Sequence, residues 1–140
     1  MTIPKIENLD TSCPIVMVDD NETDLDIGQR FYRYSKLENP FLTFASGQEL
    51  LAYLAEVEAG QKPFPAVVLL DVNMPQLSGF ETLRRIREKQ VFGEIPVIVM
   101  LTNSDNPQDI ESAMQMGANG YQPKHFEVDG FVTFLQGLFR

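Results

Sequence analysis

Polar residues stand wherever an apolar run of this chain stops. Asp19 and Asp20 follow IVMV (Ile15 to Val18), Asp71 follows VVLL (Val67 to Leu70), Thr102 closes the stretch that begins at Pro96, and Lys124 lies just past Gly120 to Gln122. If separate strands deliver these side chains to one rim, three carboxylates meet in one pocket and repel one another. A hard divalent cation with oxygen ligands holds such a group together in its ionised form. Magnesium fits that role, because it takes few carboxylates, keeps several waters and leaves room for a phosphoryl group. Lys124 then supplies positive charge, and Thr102 a hydroxyl donor, to the phosphoryl oxygens. Asp71 is the nucleophile in that arrangement.

The elements that must position these residues alternate along the chain. Ile15 to Val18 reads as a buried strand. Asp20 or Asn21 caps a helix with Ile27, Gly28, Phe31 and Tyr32 on its inner face and Arg30 and Arg33 off it. Phe41 to Phe44 is a second strand after Asn39-Pro40. Ser46 and Glu49 form a capping box for a helix carrying Leu50, Tyr53, Leu54 and Val57, which Gly60 ends. Ala66 to Leu70 is a third strand, and Ser78-Gly79 opens a helix with Phe80, Leu83 and Ile86 inward and Arg84, Arg85 and Arg87 largely outward. Pro96 to Leu101 is a fourth strand. Asn106 and Pro107 start a helix with Ile110, Ala113 and Met114 apolar, and Gly117 stops it. Gly120 to Gln122 is a fifth strand, and the last helix turns Val128, Phe131, Leu135 and Leu138 inward, with Phe134 beside that stripe as a candidate contact surface.

Strands that are apolar along their whole length and alternate with helices indicate a doubly wound α/β domain, a parallel sheet covered on both faces. In such sheets ligands bind at the carboxyl ends of the strands, where all five polar positions fall. The 140 residues suffice for one domain, read as a polar leader over residues 1–12 and a folded domain over 13–140. Eleven Lys and Arg against twenty Asp and Glu give a net charge of −9, which argues against direct binding of nucleic acid or anionic lipid. One cysteine, Cys13, excludes an internal disulfide. The leader lacks the apolar core of a signal peptide, and no run approaches a membrane span, so the chain reads as cytoplasmic.

VDD (Val18 to Asp20), LLDVNMPQLSGFE (Leu69 to Glu81), VIVMLT (Val97 to Thr102) and GANGYQPK (Gly117 to Lys124) together resemble the receiver domain of two-component response regulators, in order and spacing, over almost the whole chain. The resemblance implies a five-stranded flavodoxin-like sheet in the order 2-1-3-4-5 with five helices. It implies that Asp71 is the phosphoacceptor, Asp20 a direct Mg²⁺ ligand, Asp19 a ligand mainly through water, and Asn73 a ligand through its backbone carbonyl. Thr102 and Lys124 would hold the phosphoryl group, with Thr102 and Tyr121 forming the switch. The phosphoryl donor would be a sensor histidine kinase or a histidine phosphotransfer protein. A downstream protein target would read the surface of helix 4, strand 5 and helix 5, and a homodimer is an option. The fourth-strand stretch is similar to single-domain, chemotaxis-regulator-like members, including those paired with phytochrome-type kinases.

Two positions depart from the family pattern. Pro123 precedes Lys124 where a proline ordinarily follows it, and His125 takes that place, so a trans Lys124–His125 bond and an altered loop path are expected. Asn103 stands where a small residue is usual. Other readings are a degenerate receiver that binds partners without phosphorylation, and a magnesium-dependent aspartyl phosphohydrolase. The phosphohydrolase lacks its usual second aspartate, since Asn73 occupies that position. Taken singly, Asp19-Asp20 is a helix cap, Asp71 a turn residue and Thr102 a strand terminus. Their common register favours the site. His125 reads as a solvated loop residue and Cys13 as inert.

Overall fold

Each apolar run forms a strand: β1 (Ile15–Val18), β2 (Phe41–Phe44), β3 (Val67–Asp71), β4 (Val97–Thr102) and β5 (Gly120–Pro123). Between and after them come α1 (Glu22–Tyr32), α2 (Gly47–Glu58), α3 (Gly79–Glu88), α4 (Pro107–Gln115) and α5 (Val128–Gly137). The computed structural model describes residues 10–93, 96–102, 106–124 and 127–139. All strand pairs are parallel, in the order β2-β1-β3-β4-β5, as expected from the sequence.

The all-apolar strands are explained by a core on each face of the sheet. Val16, Val18, Val68, Leu70, Ile98 and Met100 point to one face, where Leu50, Leu54 and Val57 of α2, Leu83 and Ile86 of α3, and Ala113 of α4 cover them. Ile15, Met17, Val67, Leu69, Val99 and Leu101 point to the other, under Leu25 and Tyr32 of α1 and Phe131 and Leu135 of α5. Successive side chains of a strand alternate between faces, so a strand covered on both sides needs no polar positions. Each fully buried aliphatic side chain contributes roughly 1.5–3 kcal/mol.

The helix starts follow the expected caps. Asn21 accepts from Asp24 N–H at 3.2 Å, Ser46 from Glu49 N–H at 3.1 Å, and Ser78 from Glu81 N–H at 3.2 Å. Asn106 accepts from Gln108 N–H, with Pro107 in the first helical turn.

Several side chains differ from the sequence reading. Ile27 is exposed, and Leu25 fills the place it was assigned, because the sheet covers the side of α1 defined by Leu25, Gly28 and Tyr32. Met114 is likewise exposed and leaves Ala113 as the buried residue of α4. Phe134 is not an open contact residue: it is partly buried against the core under α1 and α5.

Arg87 does not point outward. Its guanidinium donates to the carbonyls of Gly117 (2.9 Å), Phe92 (3.0 Å) and Pro96 (2.9 Å) and to Asn119 Oδ1 (2.8 Å). Asn119 Oδ1 also accepts from Ile98 N–H. The clamp ties the end of α3 to the α4–β5 turn and the entry of β4. A side chain on Gly117, whose φ is +103°, would sit 2.9 Å from Arg87 Cγ and push the clamp apart.

Candidate functional site

The parallel sheet sets the strand ends side by side. Asp71, last in β3, pairs with Leu101 of β4, and Thr102, last in β4, pairs with Pro123 of β5. Asp19 directly follows β1, its N–H bonded to Phe44 O of β2 at 3.1 Å. Lys124 directly follows β5, its N–H bonded to Thr102 O at 2.7 Å. Neighbouring parallel strands thus bring Asp19, Asp71, Thr102 and Lys124 to one rim.

The turn after β3 explains why LLDVNMP breaks where it does. Met74 and Leu77 fold back into the interior, Gln76 takes a left-handed φ of 68°, and Gly79 N–H donates to Val72 O at 2.9 Å. A Cβ on Gly79 would lie 2.1 Å from Asp71 O and 2.8 Å from Val72 Cα. Only glycine lets the first turn of α3 press against the backbone that carries Asp71.

Asp19 and Asp71 are 0% and 2% exposed, whereas Asp20 and Asn73 face solvent. Asp19, Asp20 and Asp71 each offer a carboxylate oxygen, and these atoms lie within 4.8 Å of one another. Asp71 Oδ2 is buried with no donor within hydrogen-bond distance among the described residues, and the buried Asp19 Oδ2 has the Lys124 ammonium beside it. Buried acceptors left in this way carry a desolvation cost that a cation can offset. An all-oxygen set, open to water on the Asp20 side, fits a hard divalent ion.

Lys124 supplies the positive charge that is present. Its Nζ lies 2.9 Å from Asp19 Oδ2, 3.0 Å from Asp24 Oδ2 and 3.6 Å from Asp71 Oδ2. Burial opposes its charge, but the contacts with Asp19 and Asp24 and the field of Asp71 outweigh that and hold the ammonium above the usual lysine range. Burial likewise pushes Asp19 up, against the Asn21 N–H and Lys124. Asp71 is pushed up to about 7, first by burial and then by the charge of Asp19, against the opposing pull of Lys124 and the Asn73 N–H.

Thr102 is buried at the end of β4. Tyr121 is 8% exposed and packs with Met100 and Ala113 in the core on the α2–α4 side. Asn103 and His125 lie outside the described residues, and so does the Lys124–His125 bond. Asp24 went unread in the sequence. Its signal was a third aspartate in DDNETD, one helical turn after Asp20 and in the first turn of α1.

A family model described as "Response regulator receiver domain" matches residues 15–136. The response regulator Rcp1 of Synechocystis is 28% identical over 125 residues, 89% of this chain and 84% of Rcp1. The structure of its Mn²⁺-bound form superposes with a TM-score of 0.74, 25% identity and coverage of 89% and 90%. The phosphorylated cyanobacterial phytochrome response regulator RcpA gives a TM-score of 0.75, 27% identity and 89% coverage of both chains. A different kind of relative is the nitrate/nitrite response regulator protein NarL of Escherichia coli, 35% identical over 79 residues, of which the match spans 35%.

Proposed function

The chain belongs to the response regulator receiver family, and from that premise we propose that Asp71 accepts a phosphoryl group from a sensor histidine kinase or a histidine phosphotransfer protein. The N–P bond of the donor phosphohistidine breaks as an O–P bond to the Asp71 carboxylate forms. The observation that carries the reading is the rim itself: Asp71 lies within a set of oxygens suited to a divalent cation, with the Lys124 ammonium 3.6 Å away. Asp19, Asp20 and Asp71 would hold Mg²⁺ through their side chains, and Asn73 through its backbone carbonyl. When bound, the ion neutralises the carboxylates and the phosphoryl oxygens. The Mn²⁺-bound form of Rcp1 and the phosphorylated form of RcpA support both halves of this assignment.

Lys124 and the Thr102 hydroxyl receive the phosphoryl oxygens, so the rim catalyses only its own phosphorylation and dephosphorylation. Thr102 and Tyr121 form the switch that carries the change to the α4–β5–α5 surface, where a downstream protein or a second copy of the chain binds. Tyr121 is buried against α4 and next to β4, which places its ring where movement of either element is felt. The domain spans residues 13–140 after a leader over 1–12, and works as a stand-alone cytoplasmic regulator paired with a phytochrome-type kinase. No helix among the described residues is long and apolar enough to cross a membrane, in keeping with that location.

The test is incubation with Mg²⁺ and acetyl phosphate, followed by mass spectrometry. A single phosphoryl addition that disappears in Asp71→Asn is expected. Equal incorporation in the variant, or none in the wild type with either acetyl phosphate or beryllofluoride, overturns the assignment. Turnover of small phosphate esters would move the chain to the phosphohydrolases.

A further inference from the structure

Lys124 is closer to Asp24 than to Asp71, and that preference has a chemical consequence. The ammonium has three N–H donors. In this structure Asp19 and Asp24 hold it at 2.9 and 3.0 Å, while Asp71 Oδ2 stands off at 3.6 Å. The Lys124 side chain is 12% exposed, so few waters can replace a lost partner. Asp24 differs from the other two acceptors in origin and position. It comes from the first turn of α1 and not from a strand end, its carboxylate is 25% exposed, and it is not among the oxygens clustered for a cation.

A divalent ion and the Lys124 ammonium therefore compete for the same two carboxylates, Asp19 and Asp71. Asp24 offers the ammonium a place that the ion does not claim. Resting on the receiver reading above, we propose that Asp24 is a positioning residue: it draws Lys124 aside while the carboxylates take the metal, and it must yield Lys124 when phosphoryl oxygens arrive. The small cavity lined by Met17, Asp24, Gly28, Phe31, Lys124 and Phe131 gives the lysine stem room for that displacement.

Without Asp24 the ammonium falls back on Asp19 and Asp71 and opposes the metal. Magnesium alone should bind Asp24→Asn roughly fivefold more weakly than wild type, below the tenfold or more of a fully buried charged hydrogen bond because Asp24 is partly solvated. Asp24→Glu, which keeps the carboxylate, should stay within about twofold of wild type. Beryllofluoride at saturating Mg²⁺ should bind Asp24→Asn more tightly, since nothing on α1 then withholds Lys124 from it.

The deciding measurement is a calorimetric Mg²⁺ titration of wild type, Asp24→Asn, Lys124→Gln and the double variant. If Asp24 acts through Lys124, its loss weakens Mg²⁺ in the wild-type background and changes it less than about twofold in the Lys124→Gln background. An equal loss in both backgrounds means that Asp24 contributes only its field, and overturns the proposal. So does an Asp24→Asn protein with unchanged Mg²⁺ affinity, or one that binds both probes more weakly. Wild-type protein that binds Mg²⁺ but neither accepts phosphate nor binds beryllofluoride would refute the receiver reading instead, whatever the cycle gives.

Discussion

Asp71→Asn should make the metal-free protein more stable, and the gain should depend on pH. In the fold the Asp71 carboxyl is pushed from an ordinary 3.8 up to about 7, by burial and by Asp19. A pKa raised in the folded state means that folding favours the protonated form. The stabilising contribution is complete below about pH 4 and disappears as pH rises through about 7, so the charged carboxylate burdens the fold at pH 8. Roughly three pKa units at about 1.4 kcal/mol each set a ceiling near 4 kcal/mol. The introduced amide must be buried too, at a cost of about 2 kcal/mol at either pH, which leaves an expected gain of about 2 kcal/mol at pH 8 and a loss of about 1 kcal/mol at pH 4.5, where the carboxylate penalty is only about 1 kcal/mol.

Urea unfolding in EDTA across that pH range reads the difference directly. Added Mg²⁺ should then stabilise the wild type by about 2.7 kcal/mol at a hundredfold excess over its Kd, and stabilise the variant less. A variant no more stable than wild type at pH 8, or a gain of equal size at pH 4.5 and pH 8, would refute the electrostatic account of the rim.

Three further outcomes test the supporting structure. Asp20→Ala should weaken Mg²⁺ at least tenfold while leaving the urea midpoint in EDTA nearly unchanged, because Asp20 is exposed; calorimetry and urea titration check both halves. Arg87→Met should cost about 3 kcal/mol, since three carbonyls lose the guanidinium together and Asn119 Oδ1 keeps only the Ile98 N–H, and Arg87→Lys should recover only part of it because an ammonium cannot span the same fork. Gly79→Ala should cost several kcal/mol in urea unfolding and reduce phosphoryl acceptance at Asp71, given the 2.1 Å approach of a Cβ to Asp71 O.

What the sequence revealed depended on how far apart the cooperating residues lie. VVLL and IVMV declared themselves as doubly covered strands because each carries the whole signal in four consecutive residues. Ser46 with Glu49, and Ser78 before Gly79, were legible for the same reason. Arg87 misled because helix periodicity knows only its own helix, while its acceptors sit at Phe92, Pro96, Gly117 and Asn119, beyond the end of α3. The single turn Gln90–Phe92 was too short to show a period, although Phe92 is buried against Phe64. Ile27 and Met114 look like core by residue type, and only the tilt of each helix against the sheet decides that Leu25 and Ala113 are covered instead. At the rim the strand-end residues could be read, but Asp24 could not. Its partner Lys124 is a hundred positions away and reaches it only because the parallel strands bring the start of α1, after β1, and the end of β5 to the same carboxyl-terminal rim.

The Arg87 clamp gives α4 a fulcrum. It grips Gly117 O and Asn119 at the end where α4 turns into β5, opposite the rim that holds Asp71 and Thr102. The nine residues from Pro107 to Gln115 make a lever of about 13 Å. A small rotation about the clamped end moves the Pro107 end most, on the rim side, and the clamped end hardly at all. The stroke of such a lever is set by its pivot, so loosening Arg87 would let the helix slide as a whole and turn a directed swing into slack.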